Sequence, residues 1–205
     1  MADVLDNNGE MERSVREALA KAIKPVEGMI YPRTLQADWV DTPIGPMLAA
    51  GDESHVYLLS FIEKSGLQRK AALMQKKLNA GLELGDSAAV RSILGEVREY
   101  FGGTRRSFET PLHLTGSAFQ IRAWEELRKV PFGHTISYAE LARRIDKPAA
   151  FRAVAQANSQ NPIAIAVPCH RVVNADGGAG GYGGGVDRKA WLLDFEKQAL
   201  TDRPD

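Results

Sequence analysis

The stretch that decides the fold runs from Asn161 to Gly185 and reads "NPIAIAVPCHRVVNADGGAGGYGGG". It contains Cys169, the only cysteine of the 205-residue chain, and His170 follows it directly. The apolar run before the cysteine predicts a buried strand or extended segment. That segment ends at Pro168, because proline cannot donate a ladder hydrogen bond. The sequence therefore predicts a thiol at the end of a buried segment, followed by a glycine-rich loop.

Three interpretations of this cysteine are open from spacing alone. A single cysteine after an apolar run is typical of a small buried hydrophobe. A cysteine next to a histidine is also typical of a nucleophile with its base, as in a hydrolase. In a regular strand, however, Cys169 and His170 would point to opposite faces, so this pair needs a backbone turn or a bridging water. A metal site is the weakest interpretation, because two neighbouring ligands are too few.

Composition limits the class of protein. With 44% hydrophobic and 25% charged residues, the chain has enough apolar side chains for an ordinary core and is not disordered. One cysteine excludes an intramolecular disulfide, and the four scattered histidines form no metal pattern, so we expect no metal and no cofactor. The sequence has no signal-peptide pattern and no membrane-spanning run. We expect a cytoplasmic protein, or a nuclear one in a eukaryote, with no membrane partner.

The formal net charge is zero, but the charges are unevenly distributed. The segment from Arg143 to Ala190, which surrounds the cysteine, has seven lysines and arginines against three aspartates. This excess favours an anionic partner, although ordinary solvated surface charge produces the same pattern.

Changes in composition divide the chain into four parts. We expect a tail or linker over residues 1–33, an α+β domain of hairpins and helices over 34–108, a second domain over 109–200, and a short tail over 201–205. In the first domain, "TPIGP" and "DES" are turn sequences between short apolar strands.

Two short helices precede the cysteine segment. The first, "SYAELARRI", begins at Ser137 with Glu140 three residues on, which predicts a capping box. A tight turn at "DKP" leads to the second, "AAFRAVAQANS". This outline is typical of a helix-turn-helix, although many helical hairpins bind nothing. The alanine-rich face of the second helix fits either core packing or the close approach of a partner.

Together these segments resemble the O6-alkylguanine-DNA alkyltransferase family. The resemblance rests on "FQIRAWEELRKVPFGHTISYAELARRI", "RAVAQANSQNPIAIAV", "PCHRVV" and "GGYGGGVDRKAWLLDFE", and extends from Thr115 to Glu196 without evident gaps. From about Thr34 to the start of this region the similarity is looser. The family implies a small ribonuclease-H-like α+β domain, followed by a winged-helix-like domain with a helix-turn-helix.

The resemblance also implies a reaction: the O6 alkyl group of a damaged guanine moves irreversibly to the cysteine, here Cys169. A thiolate suits attack on a saturated carbon, but a buried thiol resists ionisation and needs a base. The family implies that His170 is this base, acting through a water and oriented by Glu196. It also implies that Tyr138 stabilises the leaving guanine, and that Asn161 ties the helix-turn-helix to the active-site turn.

For DNA, the resemblance implies a flipped-out base and a recognition helix in the minor groove. Arg152 would fill the space that the base leaves. The positions that carry small residues for close approach, or that would contact the base, are Ala153, Ala155, Ala157, Tyr182, Gly183 and the carbonyls of Cys169 and Val172. The expected partner is double-stranded DNA with O6-alkylguanine, bound by a monomer.

Two departures from the family qualify this interpretation. The N-terminal half has no cysteine, so we expect no structural zinc there. Asn158 and Ala164 stand at pocket positions where some members have larger apolar residues, which leaves the size of the alkyl group and any O4-alkylthymine activity open. The alternatives are a lesion-binding protein that does not react, a winged-helix regulator and a cysteine hydrolase. Non-reacting relatives replace the cysteine, whereas Cys169 is present.

Overall fold

The computed structural model describes residues 13, 15–62 and 66–201 of the chain. The chain divides into two units, of which the first contains the residues up to Val97 with Thr110–Leu112, and the second the remainder. The sequence placed the boundary at residues 108/109, whereas the structure divides the chain at Val97. Each unit contains helices and strands, as an α+β chain requires. No helix in the described part is both long and apolar enough to cross a membrane.

The first unit is built on a four-stranded sheet. Its elements are helix α1 (residues 15–22), strands β1 (Thr34–Val40), β2 (Met47–Gly51) and β3 (Val56–Phe61), helix α2 (Gly66–Leu78), strand β4 (Gly81–Leu84) and helix α3 (Ala88–Phe101), which continues into the second unit. The strand order is β3-β2-β1-β4. Strand β2 is antiparallel to both neighbours, and β4 is parallel to β1.

Both turns predicted for this sheet are present. Between β1 and β2, the Thr42 hydroxyl donates to the Gly45 carbonyl at 2.5 Å, and Gly45 has a φ of 105°, which a glycine adopts without strain. Between β2 and β3, Asp52 Oδ1 accepts from the backbone N–H groups of Ser54 and His55 at 2.9 Å each. Side-chain and glycine chemistry in the turns therefore fixes the order of the antiparallel strands.

Helix α1 belongs to the core of the first unit. Val15, Leu19 and Ala22 repeat at helical spacing and are 3%, 1% and 2% exposed. They pack in one cluster with apolar side chains of the sheet and α2, including Leu35, Leu48, Leu58, Met74 and Leu82. The expectation of a tail or linker is therefore wrong for residues 15–22, because one face of this helix is apolar enough to be buried.

The second unit surrounds the cysteine. Its elements are helix α4 (Ala118–Leu127), strand β5 (Ile136–Ser137), helices α5 (Tyr138–Arg144) and α6 (Phe151–Ser159), a 3₁₀ turn (Cys169–Arg171), strand β6 (Val172–Val173) and helix α7 (Val186–Thr201). Strands β5 and β6 pair in parallel, with Ile136 opposite Val172. Because β5 leads directly into α5 and β6 directly follows the turn, this pairing places the start of α5 beside the cysteine.

Helices α5 and α6 form the predicted pair of short helices. The Ser137 hydroxyl accepts from the Glu140 N–H at 3.0 Å, which caps α5. The Glu140 carboxylate accepts from Arg143 and Arg144 instead of the cap, so only half of the predicted capping box forms. Asp146, with a φ of 56°, makes the turn between the helices.

The segment before the cysteine is a buried turn, and the prediction of a strand there is wrong. The Val167 N–H donates to the Ile163 carbonyl at 3.0 Å, and Ile165 has a φ of 70°. The side chain of Asn161 explains the turn: it donates to the Val167 carbonyl at 2.8 Å and accepts from the Ile163 N–H at 3.0 Å. These backbone groups are therefore satisfied without a neighbouring strand.

Replacing Leu19 by alanine should lower the free energy of unfolding by about 2–5 kcal/mol, because the change leaves a cavity in the core of the first unit. Chemical denaturation followed by circular dichroism measures this change. Lys21→Ala is the matched control, since Lys21 is exposed on the same helix. Equal stability of the two variants would contradict the packing of α1.

Candidate active site

Cys169 is the first residue of the 3₁₀ turn and is 4% exposed. The turn begins after Pro168, and the Cys169 N–H donates to the Val167 carbonyl at 2.8 Å. This backbone turn removes the difficulty that adjacent residues of a strand point to opposite faces. The buried-hydrophobe interpretation is correct about burial, but the polar groups around the sulfur point to more than packing.

Asn161 touches the sulfur directly. Its Nδ2 lies 3.1 Å from Cys169 Sγ and also donates to the Val167 carbonyl. Asn158 Nδ2 donates to the Cys169 carbonyl at 3.0 Å. A donor that points at sulfur stabilises the thiolate relative to the thiol. The two asparagines thus hold the turn in place and favour the charged form of the nucleophile.

His170 and Glu196 form a buried pair beside the cysteine. His170 Nε2 and Glu196 Oε1 are 2.8 Å apart, and the two side chains are 0% and 1% exposed. His170 Nδ1 has no hydrogen-bond partner in the described part of the chain. Burial lowers the pKa of His170 below its ordinary value, against the opposing effect of Glu196. The imidazole is therefore neutral at physiological pH and able to accept a proton.

The carboxylate of Glu196 is surrounded by donors that the sequence did not predict. Arg171 donates from Nε and Nη2 at 2.9 and 2.8 Å, the Tyr100 hydroxyl at 2.7 Å and the Gly133 N–H at 2.9 Å. Burial alone would raise the pKa of Glu196, but the hydrogen bonds and charges of His170 and Arg171 hold it well below its ordinary range. Glu196 is therefore an anion that can orient and stabilise a charged histidine.

Lys189 is a further residue that sequence reasoning missed. It is completely buried, and its Nζ donates to the carbonyls of Val172 and Gly181 at 2.5 and 3.3 Å. Burial lowers the pKa of Lys189 to about 8, and its Nζ lies 5.8 Å from the centroid of the Tyr138 ring. Among the described residues the hydrogen bonds of this lysine go to carbonyl oxygens and not to a carboxylate, so its charge makes the surroundings of Tyr138 more positive.

The two carbonyls predicted to contact the base already accept hydrogen bonds within the protein. The Val172 carbonyl already accepts from Lys189, and the Cys169 carbonyl accepts from Asn158 and from the Val172 N–H. A carbonyl has two acceptor positions, so the Cys169 carbonyl must give up one of its two partners to receive a base.

The two predicted tyrosines lie on different segments: Tyr138 at the start of α5 and Tyr182 in the glycine-rich loop. The Tyr138 hydroxyl donates to the Gly181 carbonyl at 3.3 Å, and burial raises its pKa. The ring of Tyr182 lies 6.4 Å from that of His170, and its hydroxyl is buried without a hydrogen-bond partner among the described residues. Burial raises the pKa of Tyr182 well above its ordinary value. Both tyrosines are therefore protonated donors at neutral pH.

Gly183 approaches the end of α6 closely. A Cβ at this position would lie 3.1 Å from the Ser159 carbonyl oxygen, closer than a side chain normally comes. A side chain at this position would therefore require the Ser159 carbonyl or the loop to shift.

The predicted DNA-contacting residues of α6 divide into two groups. Arg152 and Ala153 are exposed, whereas Ala157 is 2% exposed and its carbonyl accepts from Trp124 Nε1 at 2.9 Å. Ala157 is therefore buried where α6 packs against α4, and a contact of this residue with DNA stays a prediction. Asn158 and Ala164, the expected pocket-wall positions, are buried at 5% and 6% exposure.

Comparisons with known proteins agree on one family. Residues 118–198 match the family described as "6-O-methylguanine DNA methyltransferase, DNA binding domain". The methylated-DNA–protein-cysteine methyltransferase of Mycobacterium leprae is 40% identical over 79% of this chain and 93% of its own length. The protein of that name from Mycobacterium tuberculosis H37Rv is 40% identical over 82% and 93%. The crystal structure of Mycobacterium tuberculosis OGT in complex with DNA aligns with a TM-score of 0.69 and 38% identity, covering 80% of this chain and 94% of that one.

The fold and the site together define an α+β protein whose reactive group is one buried, hydrogen-bonded cysteine. The chain belongs to the methylated-DNA–protein-cysteine methyltransferase family, which confirms the resemblance drawn from the sequence.

Acid should destabilise this site in two steps. The pKa values of His170 and Glu196 lie below their ordinary values of 6.5 and 4.5, so the unfolded chain takes up more protons than the folded chain. The free energy of unfolding should therefore fall as the pH drops through 6.5 and again through 4.5. Denaturation curves from pH 7 to pH 4, followed by tryptophan fluorescence, measure both steps.

Glu196→Gln tests the second step. The variant should be less stable by about 3 kcal/mol or more at pH 7, because it leaves Arg171 buried without an anion. The stability difference from the wild-type chain should shrink at pH 4, because the carboxylate of Glu196 begins to take up a proton in the unfolded wild-type chain while it stays charged in the folded one. Glu125→Gln, at an exposed position of α4, is the control. A difference that stays constant with pH would contradict the depressed pKa of Glu196.

Proposed function

We propose that this protein repairs alkylated DNA by direct reversal, moving the O6 alkyl group of a guanine to Cys169. The observation that carries the proposal is the contact of Asn161 Nδ2 with Cys169 Sγ at 3.1 Å, next to the buried pair of His170 and Glu196. A buried sulfur with a polar donor and a neutral base beside it is a nucleophile held ready for use. Family membership supports the same reaction.

The reaction needs one proton transfer before the bond changes. The Cys169 thiol loses its proton to His170 through a water, as the family resemblance implies, and Glu196 stabilises the imidazolium that forms. The thiolate then attacks the alkyl carbon, so that a carbon–sulfur bond forms while the carbon–oxygen bond breaks. The product is a stable thioether on Cys169, and each protein molecule therefore reacts once.

The leaving guanine takes the electrons of the broken bond and needs a donor. Tyr138 is protonated at neutral pH and stands at the start of α5, beside the cysteine turn. Its hydroxyl donates a proton or a hydrogen bond to the ring nitrogen of the leaving base. Lys189, close to the Tyr138 ring, adds a positive charge that favours the developing anion.

The DNA contacts follow from α5 and α6. We infer that the second unit is a winged-helix-like domain that binds duplex DNA as a monomer, with α6 in the minor groove and O6-alkylguanine turned out toward the cysteine. Arg152 fills the vacated place, and Tyr182 and the Gly183 N–H contact the extruded base. Exposure of Arg152 and Ala153 supports this orientation. We assign the first unit as the ribonuclease-H-like domain. The protein is located where its DNA is, in the cytoplasm or in a eukaryotic nucleus.

Incubation with a duplex that contains O6-methylguanine should add one methyl group to each protein molecule. Intact-mass analysis detects the product, and peptide mapping should locate the methyl group on Cys169. A duplex with unmodified guanine should leave the mass unchanged, and Cys169→Ser should remain unmodified with either duplex. Repeated turnover, methylation at another residue or no mass change would contradict the proposal.

Replacing His170 by alanine should slow alkyl transfer by about a hundredfold or more, since the thiol loses its base. Binding to the lesion duplex should stay close to that of the wild-type chain, because His170 is buried. Single-turnover kinetics and fluorescence anisotropy measure the two properties. His134→Ala is the matched control, at an exposed histidine of the same unit. An equal loss of binding and transfer would make His170 a structural residue.

A further inference from the structure

Helix α6 begins with an exposed aromatic side chain. Phe151 is 48% exposed, and in the described part of the chain it is the only aromatic among the exposed large hydrophobic residues. The other large hydrophobic side chains exposed to this degree are Ile30, Leu73, Leu84 and Val186. A bare phenylalanine ring at the start of a helix contributes little to the fold. The ring lies next to Arg152, on the helix proposed to bind DNA, so a role in DNA binding would explain its exposure.

Phe151 holds the guanidinium of Arg152. The Arg152 Cζ lies 5.7 Å from the centroid of the Phe151 ring, within the range of a cation–π contact. Adjacent residues of a helix do not normally face each other, so the arginine is folded back over the ring. Arg152 forms no ion pair with any described residue. Its guanidinium can therefore leave the ring without breaking a salt bridge.

The surroundings of this pair fit a polyanion. From Arg143 to Arg152 the chain has four basic residues and one acidic residue, Asp146, which pairs with Arg122. Arg143 and Arg144 share the single carboxylate of Glu140. This local excess of positive charge matches the phosphates of DNA.

The neighbours of Phe151 are also small. Ala149 and Ala153 are exposed on either side, and Ala150 caps α6 without a side-chain hydrogen bond. Phe151 and Arg152 are therefore two long exposed side chains flanked by exposed alanines in the first turn of α6. A backbone can approach this surface closely, and the first N–H groups of α6 are available to a phosphate.

We propose that Phe151 is a second side chain inserted into DNA, an apolar wedge beside the arginine. In the free protein the Phe151 ring holds the Arg152 guanidinium in a cation–π contact. On the duplex the arginine enters the gap left by the extruded base, and the ring packs into the minor groove against the neighbouring base pair. Apolar side chains inserted in this way unstack and bend DNA. The ring should therefore oppose the return of the extruded base and prolong the reactive state.

This inference rests on the proposed function, and two alkyl donors separate the two. A duplex with O6-methylguanine requires base extrusion, whereas free O6-methylguanine requires only the cysteine site. Phe151→Ala should lower the transfer rate on the duplex by about tenfold, because base stacking on an aromatic ring is lost. Its rate with free O6-methylguanine should stay within about twofold of wild type, since Phe151 is exposed at the start of α6 whereas the cysteine is buried.

Further variants make the comparison specific. Arg152→Ala should likewise lower the transfer rate on the duplex. Phe151→Leu keeps an apolar side chain and should lie between wild type and Phe151→Ala. Leu73→Ala, at an exposed apolar position of the first unit, should behave as wild type with both donors. 2-Aminopurine placed beside the lesion should brighten on binding of the wild-type chain and brighten less with Phe151→Ala.

Three results would decide against the wedge. Phe151→Ala with wild-type transfer on the duplex and wild-type 2-aminopurine brightening would leave the ring without a role in DNA, and a protein partner would be the better occupant of this surface. Loss of reaction with both donors would instead make Phe151 a structural residue. Failure of the wild-type chain with both donors would overturn the proposed function itself, and the wedge with it.

Discussion

The second unit depends on one buried carboxylate. Glu196 lies on α7 and accepts from the cysteine turn through His170 and Arg171, from Tyr100 at the end of α3, and from the backbone of Gly133. An anion without these donors would cost several kcal/mol to bury. With them, the carboxylate joins four separate parts of the chain and leaves the histidine in one orientation. The same side chain therefore supports both the fold around the cysteine and its chemistry.

In this site Arg171 balances the charge of Glu196, and His170 is left free to act as a base. Glu196 remains charged and His170 neutral, because the arginine supplies the charge that the histidine does not. The imidazole can therefore accept a proton while its orientation is already fixed. If the histidine alone neutralised the carboxylate, it would be protonated in the resting state and unable to act as a base.

The sequence predicted the reacting residues better than the residues that support them. Cys169, His170 and Asn161 lie close together in a recognisable motif, and the structure brings Glu196 to them. Tyr100 was missed because it is far away in the chain, and the pattern around it indicates only an amphipathic helix. Arg171 and Lys189 lie within the motifs that resemble the family. Their burial was not predicted, because a lysine or arginine is exposed far more often than buried.

Two fold errors have the same origin. The run before the cysteine has the composition of a strand, yet a side chain, Asn161, satisfies its backbone groups and lets it turn. The N-terminal helix is polar overall, yet three spaced apolar residues are enough to bury one of its faces. Both errors arise because average composition does not reveal a single hydrogen-bonding partner or a single apolar face.

Burial of Cys169 also bears on how long the protein stays usable. A protein that works once has no means of replacing a thiol that is oxidised before its substrate arrives. A thiolate that solvent can reach attacks peroxides and disulfides and is itself oxidised, whereas this sulfur is nearly enclosed. The packing that makes the thiol hard to ionise therefore also keeps small oxidants away from the sulfur. Each molecule stays able to react until a damaged base of DNA enters the site.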